Sequence, residues 1–576
     1  MQPKPYAALP LLWAAVVLAL TLTPAIDMPR TPAWKLLSFD TAAHAGVFAV
    51  LAALSWFSLR RQRRWRWPAR CPGLASLLGS VAFGGLIEVL QHTMRVGRHA
   101  EWTDWLSDSL GAALAVLAAY LVLRRWRARR PAPTVLGLLL ASVAVLSAPS
   151  ARGQDLARAR RTIAKLASPG LHGRGYVRQG ERKAAAYLRG RLRELRLTPL
   201  APDYTQPFTL DVNTFPGKVG LAVTASPGAR PRRADYLKLG LDYIAAPASA
   251  SADFRSGVIP FDTLIFQDTA KARRYLLPPP GFKVKACLSC PLLLRQRDQM
   301  RLPGLAAATQ ARIAERNQLV LVPKLTASLA AQQSQALRLE ILASQWPAVQ
   351  TGRQWTAVKV DAQLQRNYPT QNLAAVIRGS AQPDSFLVVS AHYDHLGTMG
   401  RTAYFPGAND NASGVALLLE LATHYARPEN RPACSVVFLL FGAEEAGLRG
   451  SRYFVAHPLV PLPRIKFLVN LDLLGTGEQG ATVVNGRVLA APYRRLAALN
   501  DAHRYLPQLA PRGPAANSDH FSFSEAGVPA FFLYTRGGSP AYHDVYDRPE
   551  ALSLAGFAGA FGLVRDFLNE LGAAKK

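Results

Sequence analysis

The sequence predicts a chain of two parts. The first is an α-helical membrane bundle of four spans plus a fifth, signal-like segment, and the second is an α/β domain with a central mixed β-sheet flanked by helices. Three observations predict this: long apolar runs in the first 150 residues, arginine clusters after two of them, and alternating strand, loop and helix patterns from residue 372 onward. A length of 576 residues leaves room for three or more domains.

Four apolar runs approach the roughly 20 residues that a helix needs to cross a bilayer: 7–25, 42–59, 74–90 and 106–123. Arginines cluster at 60–70, after the second run, and at 124–130, after the fourth. Because arginine-rich loops stay in the cytoplasm, this pattern predicts a multi-pass protein of the cell membrane, in contact with membrane lipids, whose N terminus lies inside.

The segment 131–154 contains a shorter apolar run, 134–148, preceded by RRWRARR and followed by small residues. This arrangement is typical of a signal peptide, and a fifth membrane segment is the other interpretation. Either one predicts that the rest of the chain lies on the extracytoplasmic side. Cleavage by signal peptidase near 148–154 would release it.

Polar residues inside the apolar runs are costly and therefore suggest function. They occur at helical spacing as Asp40 with His44, Glu88 with Gln91, and Asp104 with Asp108, with Arg98 between the last two pairs. Over about residues 5–125 this set resembles the VanZ-like family, from which the sequence departs at Thr41 and Asp108. The resemblance implies a VanZ-like transmembrane domain at 1–130 and defines no reaction.

The formal charge is +31, from 68 basic and 37 acidic residues. The arginines are scattered and no nucleic-acid motif accompanies them, so we predict no nucleic-acid partner. The four cysteines do not form a disulfide framework, and the single CxxC of Cys287 and Cys290 lacks the second pair that a zinc site needs.

Residues 205–350 carry short β-like runs separated by Pro and Gly. They are predicted to form an inserted α/β domain similar to a protease-associated domain. The flanking segments 155–204 and 351–576 then belong to one domain, whose strand-like runs include the continuously apolar 434–440.

Residues with metal-binding side chains follow the predicted strands of this domain, where open α/β sheets bind ligands. They are His392 and Asp394 after the run 386–390, Asp410 before a helix at 412–426, Glu444 and Glu445 after 434–440, Asp472 after 467–471, and His543 after 530–534. Singly, Asp410 could be part of a helix cap and the glutamates a solvated turn. Together, imidazoles and carboxylates suit zinc, and two adjacent zinc ions need a shared carboxylate.

Six segments in order resemble the M28 family of zinc aminopeptidases and carboxypeptidases, over about residues 370–570: SAHYDHLG, GANDNASGVALLLELA, FLLFGAEEAGLRGSRYF, NLDLLG, SDHFSF and YHDVYD. The resemblance implies two zinc ions, one bound by His392 and Asp472 and the other by Glu445 and His543, with Asp410 as the bridge.

The resemblance also implies that Glu444 is the general base and that Asp394 orients His392. Asp547 is expected to orient His543 in the same way, and His395 has no assigned role. The whole pattern implies an extracytoplasmic exopeptidase acting on peptide or protein substrates. An aminopeptidase is favoured, and a carboxypeptidase is left open.

Three other interpretations remain open from the sequence. The fold could carry out a single-zinc glutaminyl cyclase reaction, or it could be a non-catalytic binding ectodomain. The VanZ-like domain could also be the main actor on envelope lipids or glycopeptides. Bound metal together with peptide hydrolysis would separate these interpretations.

Overall fold

The computed structural model describes residues 9–22, 39–61, 66–94, 102–126, 155–224, 231–268, 290–347 and 354–573. The chain divides into two compact units, Met1–Ala151 and Arg152–Lys576. The signal-like segment 131–154, Arg98 and Cys287 lie outside the described residues.

The N-terminal unit is helical. Its helices are α1 (Leu9–Leu22), α2 (Phe39–Arg61), α3 (Arg66–Arg70), α4 (Pro72–Met94) and α5 (Trp102–Trp126). Helices α2 and α5 pack closely because Gly111 has no side chain, since a Cβ there would lie 1.9 Å from the carbonyl oxygen of Ala45. Phe48 and Ile87 are buried between the helices, and the polar Asp108 is buried with them.

Among the described helices, none offers an apolar stretch long enough to cross a membrane. The predicted bundle of four spans is therefore wrong for this part of the chain. Helix α1 has 14 residues, about 21 Å at 1.5 Å per residue against a hydrocarbon core of about 30 Å. Charged residues within or at the ends of the others, such as Glu88 and Asp108, shorten their apolar stretches. The predicted contact with membrane lipids loses its support, and the extracytoplasmic location stays a prediction.

The C-terminal unit mixes strands and helices. The strands are β1 (Thr198–Pro199), β2 (Thr205–Thr214), β3 (Val219–Thr224), β4 (Tyr243–Ala245), β5 (Ala252–Gly257), β6 (Ile259–Pro260), β7 (Leu292–Arg295), β8 (Gln318–Val322), β9 (Arg338–Leu342), β10 (Trp355–Val360), β11 (Gln363–Ile377), β12 (Gln382–His392), β13 (Thr398–Met399), β14 (Ala403–Tyr404), β15 (Cys434–Phe441), β16 (Ile465–Leu471), β17 (Ala481–Val484), β18 (Leu509–Pro511) and β19 (Ala530–Thr535). The helices are α6 (Leu156–Leu166), α7 (Gly180–Glu194), α8 (Gln296–Gln299), α9 (Ala307–Ala314), α10 (Gly414–Tyr425), α11 (Arg449–Ala456), α12 (Ala490–His503), α13 (His520–Glu525) and α14 (Phe557–Gly572).

A nine-stranded mixed sheet organises this unit, in the order β1-β11-β15-β12-β16-β19-β17-β18, with β2 paired to β11. The four strands β15, β12, β16 and β19 run parallel to one another. Every residue of β15 is buried, as expected for a central strand covered on both faces. Helices α10 and α14 contribute to the core on one face, and Phe454 of α11 and Phe523 of α13 contribute to the core on the other. The predicted mixed sheet flanked by helices is present here.

Two smaller sheets lie between β2 and β11 in the chain. One has five strands in the order β4-β9-β8-β7-β6, and the other has three in the order β3-β10-β5. Their apolar side chains share a second core, which includes Leu319, Ile341 and Val358. This core also contains Val545, which lies two residues after His543.

A buried ion pair ties α6 to α10. Arg158 donates from Nε and Nη2 to Glu420 at 2.7 Å and 2.5 Å, and the backbone amide of Asp155 donates to the same carboxylate at 2.8 Å. Glu420 is only 1% exposed. Since α10 begins four residues after Asp410, this ion pair secures the helix that follows a candidate metal ligand.

We expect Glu420→Ala to lower the free energy of unfolding by about 2–4 kcal/mol, because the partly buried guanidinium of Arg158 loses its counter-charge. Urea denaturation of the full chain measures the change. Glu429→Ala is the matched control, because Glu429 is exposed just after the same helix. Equal losses in the two variants would contradict a special role for the buried ion pair.

Candidate metal centre

The parallel strands bring the predicted ligands to one edge of the sheet. His392 is the last residue of β12, Glu444 and Glu445 follow β15, and Asp472 directly follows β16. His543 lies in the loop after β19. Asp410 lies in the turn that leads into α10, so it approaches the same edge from a neighbouring connection.

The side chains form two adjoining groups that share Asp410. Nε2 of His392 lies 3.3 Å from Oδ1 of Asp472 and 3.4 Å from Oδ1 of Asp410. Nε2 of His543 lies 3.0 Å from Oδ2 of Asp410 and 3.3 Å from Oε2 of Glu445. The two oxygens of Asp410 therefore face different histidines, which is the arrangement that a bridging carboxylate requires.

The electrostatics of this cluster favour a bound cation. Burial lowers the pKa of His392, but Asp472 and Glu444 outweigh burial and raise it well above its usual value. For His543, the same opposition of burial and carboxylates, chiefly Glu445, raises the pKa to about 11. The carboxylates thus hold protons on both imidazoles. Because metal ligands must be deprotonated, a divalent cation would replace these protons, and the donor set of nitrogen and carboxylate oxygen fits zinc.

Glu444 lines the cleft beside the candidate ligands, and its carboxylate accepts no hydrogen bond from any described residue. Burial, followed by the negative charges of Glu445 and Asp519, raises its pKa well above the usual value, although His392 opposes the shift. Its backbone amide donates to Oδ1 of Asp394 at 3.1 Å, which fixes the turn. The carboxylate therefore faces the cleft from an immobilised backbone.

Asp394 contacts His392 mainly through its main chain. Nδ1 of His392 lies 3.3 Å from the carbonyl oxygen of Asp394 and 3.8 Å from its nearer carboxylate oxygen. The carboxylate instead accepts the amide of Glu444 and the hydroxyl of Tyr176, the latter at 3.3 Å. Asp394 thus connects the β12 loop to the β15 loop in addition to approaching His392.

His395 is part of the cluster, although its pattern in the sequence suggested no role. It is fully buried, and its Nδ1 lies 2.7 Å from Oε1 of Glu445. Its ring also packs edge-on against His543 with 5.8 Å between ring centres. Metal-binding atoms lie within 4.8 Å of one another in two groups, one of His392, Asp410 and Asp472 and one of His395, Asp410 and Glu445. The spacing of three between His392 and His395 was the one available signal.

Asp547 does not contact His543 as expected. Its carboxylate accepts the backbone amides of Asn409 at 2.8 Å and Asp410 at 3.0 Å, so it shapes the turn that presents the shared ligand. The partner of His543 is Ala327: Nδ1 of His543 donates to the carbonyl of Ala327, and the amide of Ala327 donates to the carbonyl of His543, both at 2.9 Å. A segment between β8 and β9 therefore sets the orientation of this imidazole.

Arg174 supports the turn that presents Asp410, and nothing in the sequence indicated this role. Its guanidinium is completely buried, and burial lowers its pKa to about 10. It donates to backbone carbonyls of Leu166, Tyr393, Pro406, Gly407 and Asp410. Gly407 has a φ of +59° and lies so close to Arg174 that a Cβ would be 2.6 Å from Nη2. An arginine that binds carbonyls rather than carboxylates leaves no charge pattern in the sequence.

A cleft of about 440 Å³ opens onto the cluster. Apart from the residues already described, it is lined by Gly447, Leu448, Leu473, Arg512, Ala516, Asn517, Phe532, Tyr534 and Tyr542. Tyr542 stacks on the imidazole of His543, with 3.9 Å between ring centres. The cleft therefore combines a carboxylate-rich floor with aromatic walls.

Comparison with known proteins agrees with this geometry. Residues 372–568 match the model of peptidase family M28. A probable zinc metalloprotease of Pyricularia oryzae is 41% identical over 113 residues, 19% of this chain and 22% of that protein. Aminopeptidase YwaD of Bacillus subtilis is 31% identical over 198 residues, 32% of this chain and 41% of that protein. The chain therefore spans less than half the length of either relative.

The solved structure of BSAP, a zinc aminopeptidase from Bacillus subtilis, superimposes with a TM-score of 0.53, covering 73% of this chain and 95% of that one. At 19% identity this likeness shows the fold alone. Together the comparisons support the prediction that residues 372–568 are similar to peptidase family M28, whose relatives include zinc metalloproteases and an aminopeptidase. They give no support to the predicted VanZ-like domain.

A second layer of hydrogen bonds lies behind Asp394. Tyr176, which donates to Asp394, packs edge-on against Tyr368, and the hydroxyl of Tyr368 donates to Glu181 at 2.6 Å. Glu181 is fully buried. Burial raises its pKa to about 7, against the opposing hydrogen bond from Tyr368.

This pKa shift makes the stability depend on pH. The folded state holds a proton on Glu181 more tightly than the unfolded state does, so ionisation costs stability as the pH rises from about 4.5 to about 7. Glu181→Gln lacks this ionisation. The free energy of unfolding of Glu181→Gln minus that of the native protein measures the effect. We expect this difference to rise by about 3 kcal/mol from pH 4.5 to pH 7 and to stay constant above that range.

Urea titrations at pH 5, 6, 7 and 8 under the same metal loading measure that difference. Glu194→Gln serves as the control, because the Glu194 side chain is 62% exposed. A pH-independent difference for Glu181→Gln would contradict the raised pKa.

Asp547→Asn tests the turn that presents Asp410. The substitution keeps the shape but points an NH₂ group at one of two backbone amides, so the turn loses an acceptor. We expect metal affinity to fall about 10–100-fold, as for other residues that orient metal ligands. Competition with a chromophoric chelator measures the affinity. Asp384→Asn, at a carboxylate 77% exposed, should leave it unchanged, and unchanged affinity in Asp547→Asn would refute the orienting role.

Proposed function

We propose that the chain is a zinc-dependent exopeptidase with two zinc ions that releases residues from the N terminus of peptides. The observation that best supports this proposal is the position of Asp410 between two histidines. Its Oδ1 faces His392 and its Oδ2 faces His543. Asp472 completes the first group and Glu445 the second. The description of the relatives from Pyricularia oryzae and Bacillus subtilis supports the choice of metal and of reaction.

In this proposal His392 and Asp472 hold one zinc ion, Glu445 and His543 hold the other, and Asp410 is shared. Bound zinc would supply a Lewis acid that polarises the scissile carbonyl and makes water a better nucleophile near neutral pH. His395 would keep Glu445 in place through its 2.7 Å contact. Asp394 and Ala327 would hold the rings of His392 and His543, each through a backbone carbonyl.

Glu444 would act as the general base. Its carboxylate is free of hydrogen bonds to described residues and faces the cleft, while its backbone is held by Asp394. It would accept a proton from the attacking water and deliver it to the nitrogen of the leaving amine. Such proton transfer typically contributes a factor of about 10²–10⁴ to the rate.

The aminopeptidase of Bacillus subtilis among the relatives supports attack at the amino end. Release from the carboxyl end is the alternative. We also propose that segments 155–204 and 351–576 form the peptidase domain and that 205–350 is inserted into it. Val545 and His543 of the peptidase domain contact this inserted region. No reaction is assigned to the first 130 residues.

We expect Glu444→Gln to lower kcat for a leucine-initiated dipeptide amide by at least about 100-fold while metal content stays at the native level. Elemental analysis and amino-acid release on the purified full chain measure the two quantities. Removal of metal by a chelator should abolish the activity of the native protein, and added zinc should restore it.

Glu429→Gln provides the control, as an exposed glutamate away from the cleft. One zinc per chain with release of ammonia from N-terminal glutamine would instead indicate a cyclase. A well-folded, metal-free chain without hydrolytic activity would rule out the proposed function.

A further inference from the structure

Among the described residues that line the cleft, one cation is not used by the candidate metal centre. The other charged residues that line it are His392, Asp410, Glu444, Glu445, Asp472 and His543, all assigned to metal binding or proton transfer. Arg512 also lines the cleft and is exposed. Within the described parts of the chain, its guanidinium takes part in no hydrogen bond or ion pair.

The backbone that carries this side chain is held firmly. The amide of Arg512 donates to the carbonyl of Val483 on β17 at 2.9 Å, and its carbonyl accepts the amide of Arg487 at 3.2 Å. Nε of Arg487 also donates to the carbonyl of Pro511, the last residue of β18, at 3.2 Å. The side chain of Arg512 is therefore carried by a fixed point of the backbone at the border of the cleft.

The contrast with Arg174 is informative. Arg174 has all its donors satisfied by backbone carbonyls, so it is a structural cation. No described residue accepts a hydrogen bond from the side chain of Arg512, whereas the other ionised groups that line the cleft are assigned to metal binding or proton transfer. Asn517, on the same loop and also exposed to the cleft, adds a neutral amide donor.

A free guanidinium recognises planar oxyanions, and carboxylates bind it through two parallel hydrogen bonds. Peptides carry carboxylates at the C terminus and on acidic side chains. In the proposed reaction the amino end of the peptide lies at the candidate metal centre, so a carboxylate one or two residues further on would be attracted to Arg512. The volume of about 440 Å³ suits a short peptide.

We propose that Arg512 is a specificity-determining residue that binds a carboxylate of the substrate, so that the enzyme prefers short peptides with a negative charge close to the scissile bond. The proposal rests on the proposed peptidase function. The carboxylate is supplied either by the free C terminus of a dipeptide or tripeptide or by an acidic side chain after the scissile bond.

Four substrates distinguish these two sources: leucyl-glycine, its C-terminal amide, leucyl-glutamate amide and leucyl-glutamine amide. We expect Arg512→Gln in the full zinc-loaded chain to lower kcat/KM about tenfold or more for a carboxylate-bearing substrate, mainly through KM. For the matching substrate without the carboxylate, kcat/KM should change less than twofold. An effect on leucyl-glycine identifies the C terminus, and an effect on leucyl-glutamate amide identifies the side chain; either supports the proposal.

Arg495→Gln is the matched control, since Arg495 is exposed on α12 and does not line the cleft. Equal loss for all four substrates, or no loss for any, would overturn the role of Arg512. If the native chain hydrolyses none of the four, the peptidase proposal fails by itself.

If no substrate is hydrolysed, calorimetry can still test whether Arg512 binds a carboxylate. It measures the binding of leucyl-glycine and leucyl-glutamate amide to the zinc-loaded chain. A tenfold weaker binding of either ligand by Arg512→Gln supports the proposed role of Arg512. Equal binding of both, or no binding to the native chain, overturns it.

Discussion

The C-terminal unit is organised around one electrostatic constraint, the burial of several carboxylates and imidazoles at a single edge of the sheet. Asp410 lies between His392 and His543, and hydrogen bonds from both hold its pKa well below the usual value against the effect of burial. Such a group of buried charges is stable only with compensating positive charge. Protons on the imidazoles provide it in the absence of a cation, and a divalent metal ion provides it in a form that can also take part in hydrolysis.

The rest of the unit keeps these charges in place through backbone contacts over long sequence separations. Arg174 binds the carbonyls of the turn before α10, and Asp547 binds the amides of the same turn. The candidate ligand His543 is held from the other side by Ala327, which belongs to the region between β8 and β9. The small sheets are thereby linked mechanically to the metal centre. A change in their packing would be transmitted directly to one of the two metal-binding groups.

The elements predicted correctly from the sequence are those whose periodic pattern fits only one kind of structure. The apolar run 434–440 became a fully buried central strand, and parallel neighbours put His392 and Asp472 at the same edge. Sequence reasoning failed for the first 150 residues, because Ala, Leu, Gly and Val runs suit membrane spans and helices packed against one another equally well. It also assigned the wrong partner to Asp547, since a carboxylate that accepts backbone amides looks identical in sequence to one that orients a histidine.

The sequence by itself determined the mixed α/β class of the C-terminal unit and the residue types at its strand ends, because both depend on local periodicity and chain order. Tertiary structure alone decided which of those residues meet. It added His395 to the ligand cluster and Arg174 beneath the turn, and it selected the carbonyl of Ala327 to orient His543. These contacts join residues up to 236 positions apart, and those of Arg174 and Ala327 use backbone carbonyls common to every residue, so no sequence pattern records them.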